Sequence, residues 1–395
     1  MRICLVNALF HPFQGGIEKH IYELSRGLIR HGVDVTVVTS KITGTPAYEE
    51  IDGVRIHRVP CIEFKVPGLY PPPWIFSPLF LYHLSQIDRL YDFDIIHLHN
   101  RFFPDFLWAG VYARLKNKLF MMTIHNSRPV GVSLPVAFLG TFYDLFVGRL
   151  PFVMADRIIS VSDWSKWDIS KYFIDVEKMT TVHNGIDTGA YCNADGNCIR
   201  KSMGVGDNPL ILYVGRLVVQ KGVDYLIEAL PEVIRKHPRA MLLIAGSGNR
   251  MELLKQKTAE MGIEGHVHFT STVSEDLLRQ IYMACDIFVL PSITEPFGMV
   301  AIEAMACGKP VICTDSGGVT EIVRDGYNGF VVPIGDPGAI SRHINMLLSD
   351  PSMKSRMGSN GIDLARSEFD IDVMVSRTKT VYDELYADAG RKRSP

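Results

Sequence analysis

Residues Ser292–Val311 read S-I-T-E-P-F-G-M-V-A-I-E-A-M-A-C-G-K-P-V, and the fold is decided here. Just before it, Asp286–Leu290 (D-I-F-V-L) is a short β-branched and aromatic run stopped by Pro291, the pattern of a buried strand. Just after it, Pro310–Cys313 reads as the next strand, reached through Gly308. Between them Met299–Cys307 is rich in small, helix-favouring residues, and Ala301, Ala304 and Ala306 let a helix lie close on a sheet. Strand, loop, helix, strand puts the loop Ser292–Gly298 at the carboxyl end of a parallel strand, where open α/β sheets bind ligands.

Two carboxylates bracket the start of that helix, expected near Phe297. Glu295 lies in the loop, and Glu303 follows about two turns into the helix with its side chain leaning back toward the N-terminus. The first amides, those of Phe297, Gly298, Met299 and Val300, point the same way and favour an anionic or hydroxyl-rich ligand. As an isolated pair, the two glutamates would read as a turn residue and a solvated helix residue. They are not isolated. E-P-F-G-M-V-A-I-E, continued by C-G-K-P-V-I-C-T-D-S-G-G-V-T-E-I-V, resembles the signature of the retaining glycosyltransferases of family four. That resemblance implies a GT-B architecture: two Rossmann-like doubly wound parallel-sheet α/β domains facing across a cleft.

The composition is compatible with this. A chain of 395 residues suggests two domains, and 47% hydrophobic with 21% charged residues describes a globular protein with a full core. A formal net charge of −2 gives no footprint for nucleic acid, so no nucleic-acid partner is expected. Seven scattered cysteines, odd in number, fit a reducing cytoplasm better than a disulfide framework; for Cys192 and Cys198 a plain loop is favoured over a bridge or metal site. The N-terminus has no signal-peptide layout, and the longest uncharged run, Val66–Ile87, is broken by five prolines, which argues against a spanning helix.

Further elements follow from periodicity. Ile3–Val6 is a strand, Gly15-Gly16 closes the loop after it, and the following helix shows Ile17, Ile21, Leu24 and Leu28 on one face. Gly16 lets backbone approach a phosphate, although a tight packing turn explains the spacing equally; no G-x-G-x-x-G supports a dinucleotide. G-G-I-E-K-H-I-Y-E-L-S-R-G-L also resembles the opening of the same family. Asp94–Leu98 and Leu119–Ile124 are strands; His97 reads as a core residue, His99 is ambiguous, and His125 stands at a carboxyl strand end. The resemblance places a histidine after this strand at the active centre, a role carried to His125 and only weakly to His99.

The domains are expected at residues 1–187 on the acceptor side and 209–368 on the nucleotide-sugar side. Polar residues 188–208 form a linker, and residues 369–395 a C-terminal helix packing back on the first domain. In the second half, the loop Gly215–Gly222 carries Arg216 and Lys221, one cation suited to bidentate grip and one point charge. The resemblance implies a diphosphate clamp there. It also implies that Glu303 accepts from the ribose, that Glu295 accepts from the sugar, and that Ser271 stands where relatives commonly hold a glycine near the base.

The catalytic set expected is His125, Glu295, Arg216 and Lys221, and the donor-binding set Gly16, Arg216, Lys221, Glu295, Phe297, Gly298, Met299, Val300 and Glu303. No cofactor beyond the nucleotide diphosphate sugar and no metal is expected: the D-F-D of Asp92–Asp94 leads into a strand and reads as a capping turn. The competing classes are a dinucleotide oxidoreductase, a nucleotide-sugar epimerase of similar fold, and a non-catalytic nucleotide-sugar-binding protein. The acceptor is expected to be a sugar, glycan or lipid-linked hydroxyl. Uncharged aromatic stretches at Val66–Ile87 and Pro129–Tyr143 suit contact with the cytosolic face of a membrane, or equally core or a protein contact.

Overall fold

Short runs rich in β-branched and apolar residues, too short for buried helices, supply most strands of two largely parallel sheets. The structure, a computed structural model, describes residues 1–13, 15–64, 74–100, 107–125, 146–171, 175–192 and 195–393. These form two units: the chain to Gly185 together with the segment from Ile371 onward, and the chain from Ile186 to Asp370.

The strands of unit 1 are β1 (Arg2–Val6), β2 (Asp34–Lys41), β3 (Tyr48–Ile51), β4 (Val54–Pro60), β5 (Ile62–Phe64), β6 (Trp74–Phe76), β7 (Ile95–His99), β8 (Leu119–Ile124), β9 (Arg157–Ser160) and β10 (Met179–Thr181). Eight of them form one sheet in the order β10-β9-β8-β7-β1-β2-β4-β3, parallel except for the edge pair β3–β4. The order reverses between β1 and β7, so the loops after those strands flank a switch point. One face of the sheet packs Ile21, Leu24 and Leu28 of the helix Gly16–Arg30 with Met374, Val375 and Tyr382 of the helix Ile371–Arg393. The other face packs Phe80, Leu84 and Ile87 with Ala109, Tyr112 and Ala113. Each fully buried aliphatic side chain contributes about 1.5–3 kcal/mol by leaving water.

In unit 2 the strands are β11 (Leu210–Val214), β12 (Met241–Ala245), β13 (Val267–Thr270), β14 (Ile287–Leu290), β15 (Val311–Thr314) and β16 (Gly329–Val332). All pairs are parallel, in the order β13-β12-β11-β14-β15-β16, which reverses between β11 and β14. The loops carrying Arg216–Lys221 and Ser292–Glu295 are the two that leave the carboxyl ends of those neighbouring strands.

Several expectations shift. Residues 188–208 hold two short helices, Thr188–Cys192 and Asn197–Ser202, and lie within unit 2. They are tied down because Arg200 bonds Asp286 Oδ2 at 2.7 Å and the carbonyls of Ala284, Gly206 and Asn208. The helix expected from Phe297 begins at Met299, with Gly298 as N-cap. The D-F-D, by contrast, is the capping turn expected: Asp92 caps the helix Phe80–Tyr91 and takes Lys118 at 2.7 Å, and Asp94 takes the Arg2 amide at 2.7 Å. The uncharged run around Trp74 is split by the fold. Ile75, Phe80, Leu84 and Ile87 are core, whereas Trp74, Phe76, Leu79 and Tyr82 are exposed. Its residues 66–73, with Leu69 and Tyr70, lie outside the described residues, as do Pro129–Tyr143 with Phe138, Leu139 and Phe142.

Candidate functional site

The switch point of unit 2 brings the two halves of the sequence-predicted set together. The loop after β11 turns through Gly222, at φ 60°, where an added Cβ would stand 2.1 Å from the carbonyl oxygen of Pro291. Only glycine fits so close an approach. The Ile293 amide then bonds the Gln220 carbonyl at 2.8 Å, and the two loops are fastened to each other. Across this seam Lys221 Nζ donates to Glu295 Oε2 at 2.5 Å, with the two side chains only 17% and 8% exposed. Ser292 Oγ donates to the same oxygen at 3.0 Å, and the Glu295 amide is held by the Ser316 carbonyl at 2.8 Å. Glu295 is therefore a fixed, ionic acceptor rather than a mobile loop carboxylate. Its charge, after burial, helps push the Tyr213 hydroxyl well above its ordinary range.

Arg216 differs from Lys221. It is exposed, and among the described residues no carboxylate pairs with its guanidinium, while its carbonyl accepts from Tyr213 Oη at 3.0 Å. A charged fork with no carboxylate partner among the described residues thus stands beside a paired lysine. Glu303 is buried at the second helical turn, and Tyr282 Oη donates to its Oε2 at 2.8 Å. Tyr191 also hydrogen-bonds Glu303. Neither tyrosine was singled out in the sequence; their only signal is a phenol that a buried position obliges to find a polar partner. Phe297 is buried with its ring edge-on to Phe369 at 6.1 Å, so its side chain serves packing and only its backbone faces the helix start. Met299 and Val300 open that helix and are partly buried. At the neighbouring loops Ser247 Oγ meets Thr272 Oγ1 at 3.0 Å, one residue beyond Ser271.

Unit 1 presents a second cluster at its own switch point. Gly16 begins its helix, and among the described residues nothing lies within 4 Å of an added Cβ there. Beside it Glu18 is held by burial at a pKa of about 7, opposed by its bond to Asn7 Nδ2 at 3.5 Å. His20, His97, His99 and His125 converge. His97 is the core residue anticipated, bonded through Nδ1 to Tyr382 Oη at 2.6 Å and through Nε2 to Thr123 Oγ1 at 2.8 Å. His99 Nδ1 meets His125 Nε2 at 3.1 Å. The His20 ring stands 4.7 Å from that of His125 and 5.6 Å from that of His99.

Burial holds His20 at a pKa of about 4 and His97 at about 3, the latter helped by His20. Burial and then the neighbouring rings hold His99 and His125 well below the usual imidazole range. All four are neutral at pH 7. Sequence reasoning missed His20, although a histidine beside Ile21 on the apolar face of the first helix was a visible signal. Ligand atoms of His20, His99 and His125 lie within 4.8 Å of one another, the one metal-capable group among the described residues. In the structure the facing nitrogens of His99 and His125 are engaged with each other, 3.1 Å apart.

Comparison with known proteins follows the same division of the chain. Residues 14–190 match the model of Glycosyltransferase Family 4, and residues 198–364 that of Glycosyl transferases group 1. An uncharacterized glycosyltransferase of Methanocaldococcus jannaschii is 30% identical over 97% of this chain and 98% of its own. A GDP-mannose-dependent alpha-(1-6)-phosphatidylinositol monomannoside mannosyltransferase of Mycolicibacterium smegmatis is 29% identical over 90% of this chain and 92% of its own. Among solved structures, HepE of Anabaena in complex with UDP has a TM-score of 0.78 at 22% identity, covering 97% of this chain and all of that one; this likeness concerns the fold.

Proposed function

The chain belongs to the glycosyltransferases of family four, with their GT-B fold, and from that premise we propose that it moves a hexose-type sugar from a nucleotide diphosphate donor to an acceptor hydroxyl with retention of configuration. The observation that carries this reading is the cation–carboxylate seam at the switch point of unit 2. A diphosphate there meets Arg216 as a bidentate fork and Lys221 as a point charge already oriented by Glu295. Amides of Gly298, Met299 and Val300 at the helix start add fixed dipoles. Glu303, steadied by Tyr282, accepts from the ribose, and Glu295 accepts from hydroxyls of the sugar.

In the reaction the bond from the anomeric carbon to the diphosphate oxygen breaks, and the acceptor oxygen bonds the same face. The acceptor proton passes to the departing phosphate. Fixed cations and dipoles stabilise that leaving group without a divalent ion. His125, in unit 1, is the group assigned to the reacting centre. Mixing the protein with a panel of nucleotide sugars should reveal one that is slowly hydrolysed, with a rate unchanged in excess EDTA. If no nucleotide sugar is bound or turned over, the donor reading fails; a rate lost to EDTA and restored by manganese or magnesium overturns the metal-independent mechanism.

The acceptor is proposed to be membrane-borne, with the protein docking at the surface. In the two-stranded ribbon β5–β6, Ile62 pairs with Phe76 and Phe64 with Trp74, and all four are exposed while Ile75 is buried. Leu79 and Tyr82 are exposed as well. No described helix is long and apolar enough to cross a membrane, so contact of this kind is interfacial. The M. smegmatis relative is named for a phosphatidylinositol monomannoside substrate, which gives such an acceptor a precedent. Phe64→Ser/Trp74→Ser/Phe76→Ser should abolish co-sedimentation with phosphatidylcholine–phosphatidylinositol vesicles. Phe80 is left intact because it is core. Absence of vesicle binding by the intact protein would remove the proposal.

A further inference from the structure

We propose that His99 is a positioning residue that fixes the tautomer of His125, so that His125 meets its substrate as a hydrogen-bond donor through Nδ1. The proposal rests on the role assigned to His125 above and specifies what that side chain does. Its basis is an accounting of ring protons in unit 1. His99 is fully buried, its Nδ1 faces His125 Nε2 at 3.1 Å, and its Nε2 is buried with no hydrogen-bond partner among the described residues. Between two neutral imidazoles one proton occupies that contact, on one side or the other.

If it belonged to His125, His99 would accept at Nδ1 and carry its own proton on Nε2, a buried N–H with nothing to receive it. Orphaned buried donors are rare, and leaving one costs about 1–3 kcal/mol. The opposite arrangement leaves a bare ring nitrogen in that place, an orphaned acceptor, which buried sites tolerate more often than an orphaned donor. The proton therefore sits on His99 Nδ1 and is donated to His125 Nε2. His125, neutral and accepting at Nε2, must then carry its proton on Nδ1.

Among the described residues nothing is hydrogen-bonded to His125 Nδ1, and the residue retains 9% exposure at the carboxyl end of β8. The pair cannot easily rotate out of this state. His97, pinned at both nitrogens by Tyr382 and Thr123, packs on His99 with ring centroids 4.2 Å apart. His20 meets His125 edge-on at 4.7 Å from the other side. Burial together with the adjoining rings disfavours a charged form of either residue, so His125 is a donor with a fixed proton rather than a base. This suits a transfer in which the leaving phosphate takes the acceptor proton, because a second base is not needed.

The decisive measurement is the ring-nitrogen spectrum of protein labelled with 15N-histidine at neutral pH, with His125 assigned by its absence in His125→Ala. The wild type should show His125 protonated at Nδ1 and unprotonated at Nε2. In His99→Leu that preference should vanish, and kcat should fall about 100-fold or more while the donor KM stays within about threefold, as for other active sites with a misplaced tautomer. His99→Asn, whose amide N–H stands where Nδ1–H stood, should recover at least about tenfold of the loss. A wild-type His125 protonated at Nε2 overturns the proposal. So does a His99→Leu enzyme within about threefold of wild-type turnover, or a His99→Asn enzyme no better than His99→Leu. Should the variants not fold, the wild-type spectrum alone decides. Full turnover by His125→Ala would instead defeat the catalytic role of His125, a result that the spectrum of the pair does not depend on.

Discussion

Lys221→Ala should weaken binding of the nucleoside diphosphate at least about 30-fold, or about 2 kcal/mol, and lower kcat/KM further still. Two losses combine. The point charge facing the diphosphate disappears, and Glu295, whose side chain is only 8% exposed, keeps its negative charge with Ser292 as its remaining side-chain partner. An unpaired buried carboxylate then repels the incoming diphosphate as well as costing stability. The two contributions separate in a double-mutant cycle: Lys221→Ala/Glu295→Gln should bind the diphosphate better than Lys221→Ala alone, because the repelling charge is gone. Arg216→Ala should weaken binding comparably without lowering the melting temperature, since that exposed guanidinium has no carboxylate partner among the described residues. Unchanged calorimetric affinity in both single variants would sink the clamp.

That seam was only half legible in the sequence. Strand, loop and helix around Ser292–Val311 are local, written in the alternation of β-branched runs with Gly and Pro, and they emerge within a residue or two of the expected places. The position of each loop at a carboxyl strand end follows from the same pattern, so Arg216, Lys221 and Glu295 were found as separate candidates. Their juxtaposition was not local. It depends on β11 and β14 being neighbours, which is a property of strand order, and on Gly222 packing against Pro291. Sequence alone assigns Lys221 and Glu295 to different parts of the donor; the structure makes them one ion pair.

Other features escaped for related reasons. The helix Pro351–Glu368 carries Gly358 and Gly361 among serines and an asparagine, a composition that argues against helix by propensity. Tertiary packing wins: a Cβ at Gly358 would lie 2.2 Å from the Gly308 carbonyl oxygen, so the glycine is what allows this helix to lie against the turn after Met299–Ala306. The histidine cluster is scattered over the first helix, β7 and the end of β8, and only the sheet order β8-β7-β1 collects it. His125 was legible as a strand-end residue. Its partner atom was not, because which nitrogen of a ring faces which neighbour is not encoded in spacing.

His125→Ala should fold, bind nucleoside diphosphate within about threefold of wild type, and lose about 100-fold or more in kcat, the loss usual for one well-placed donor at a reacting centre. Diphosphate binding is expected to survive because its cations, Arg216 and Lys221, belong to unit 2. Stability should fall modestly. Truncation removes a ring from the side of His20 and leaves His99 Nδ1–H without its acceptor, a deficit of about 1–3 kcal/mol in a domain held by the faces of a full sheet. Thermal unfolding and turnover must therefore be measured together. A melting temperature lowered by a few degrees with turnover nearly gone is the signature of a working residue. Collapse of the fold would mean that His125 serves packing, as His97 does, and wild-type turnover would mean that the proton at Nδ1 meets nothing that reacts. Substitution by Asn gives a finer reading, because its amide N–H projects close to where Nδ1–H stands. His125→Asn should recover part of the rate that His125→Ala loses if donation is the function, and none of it if the imidazole acts as a base.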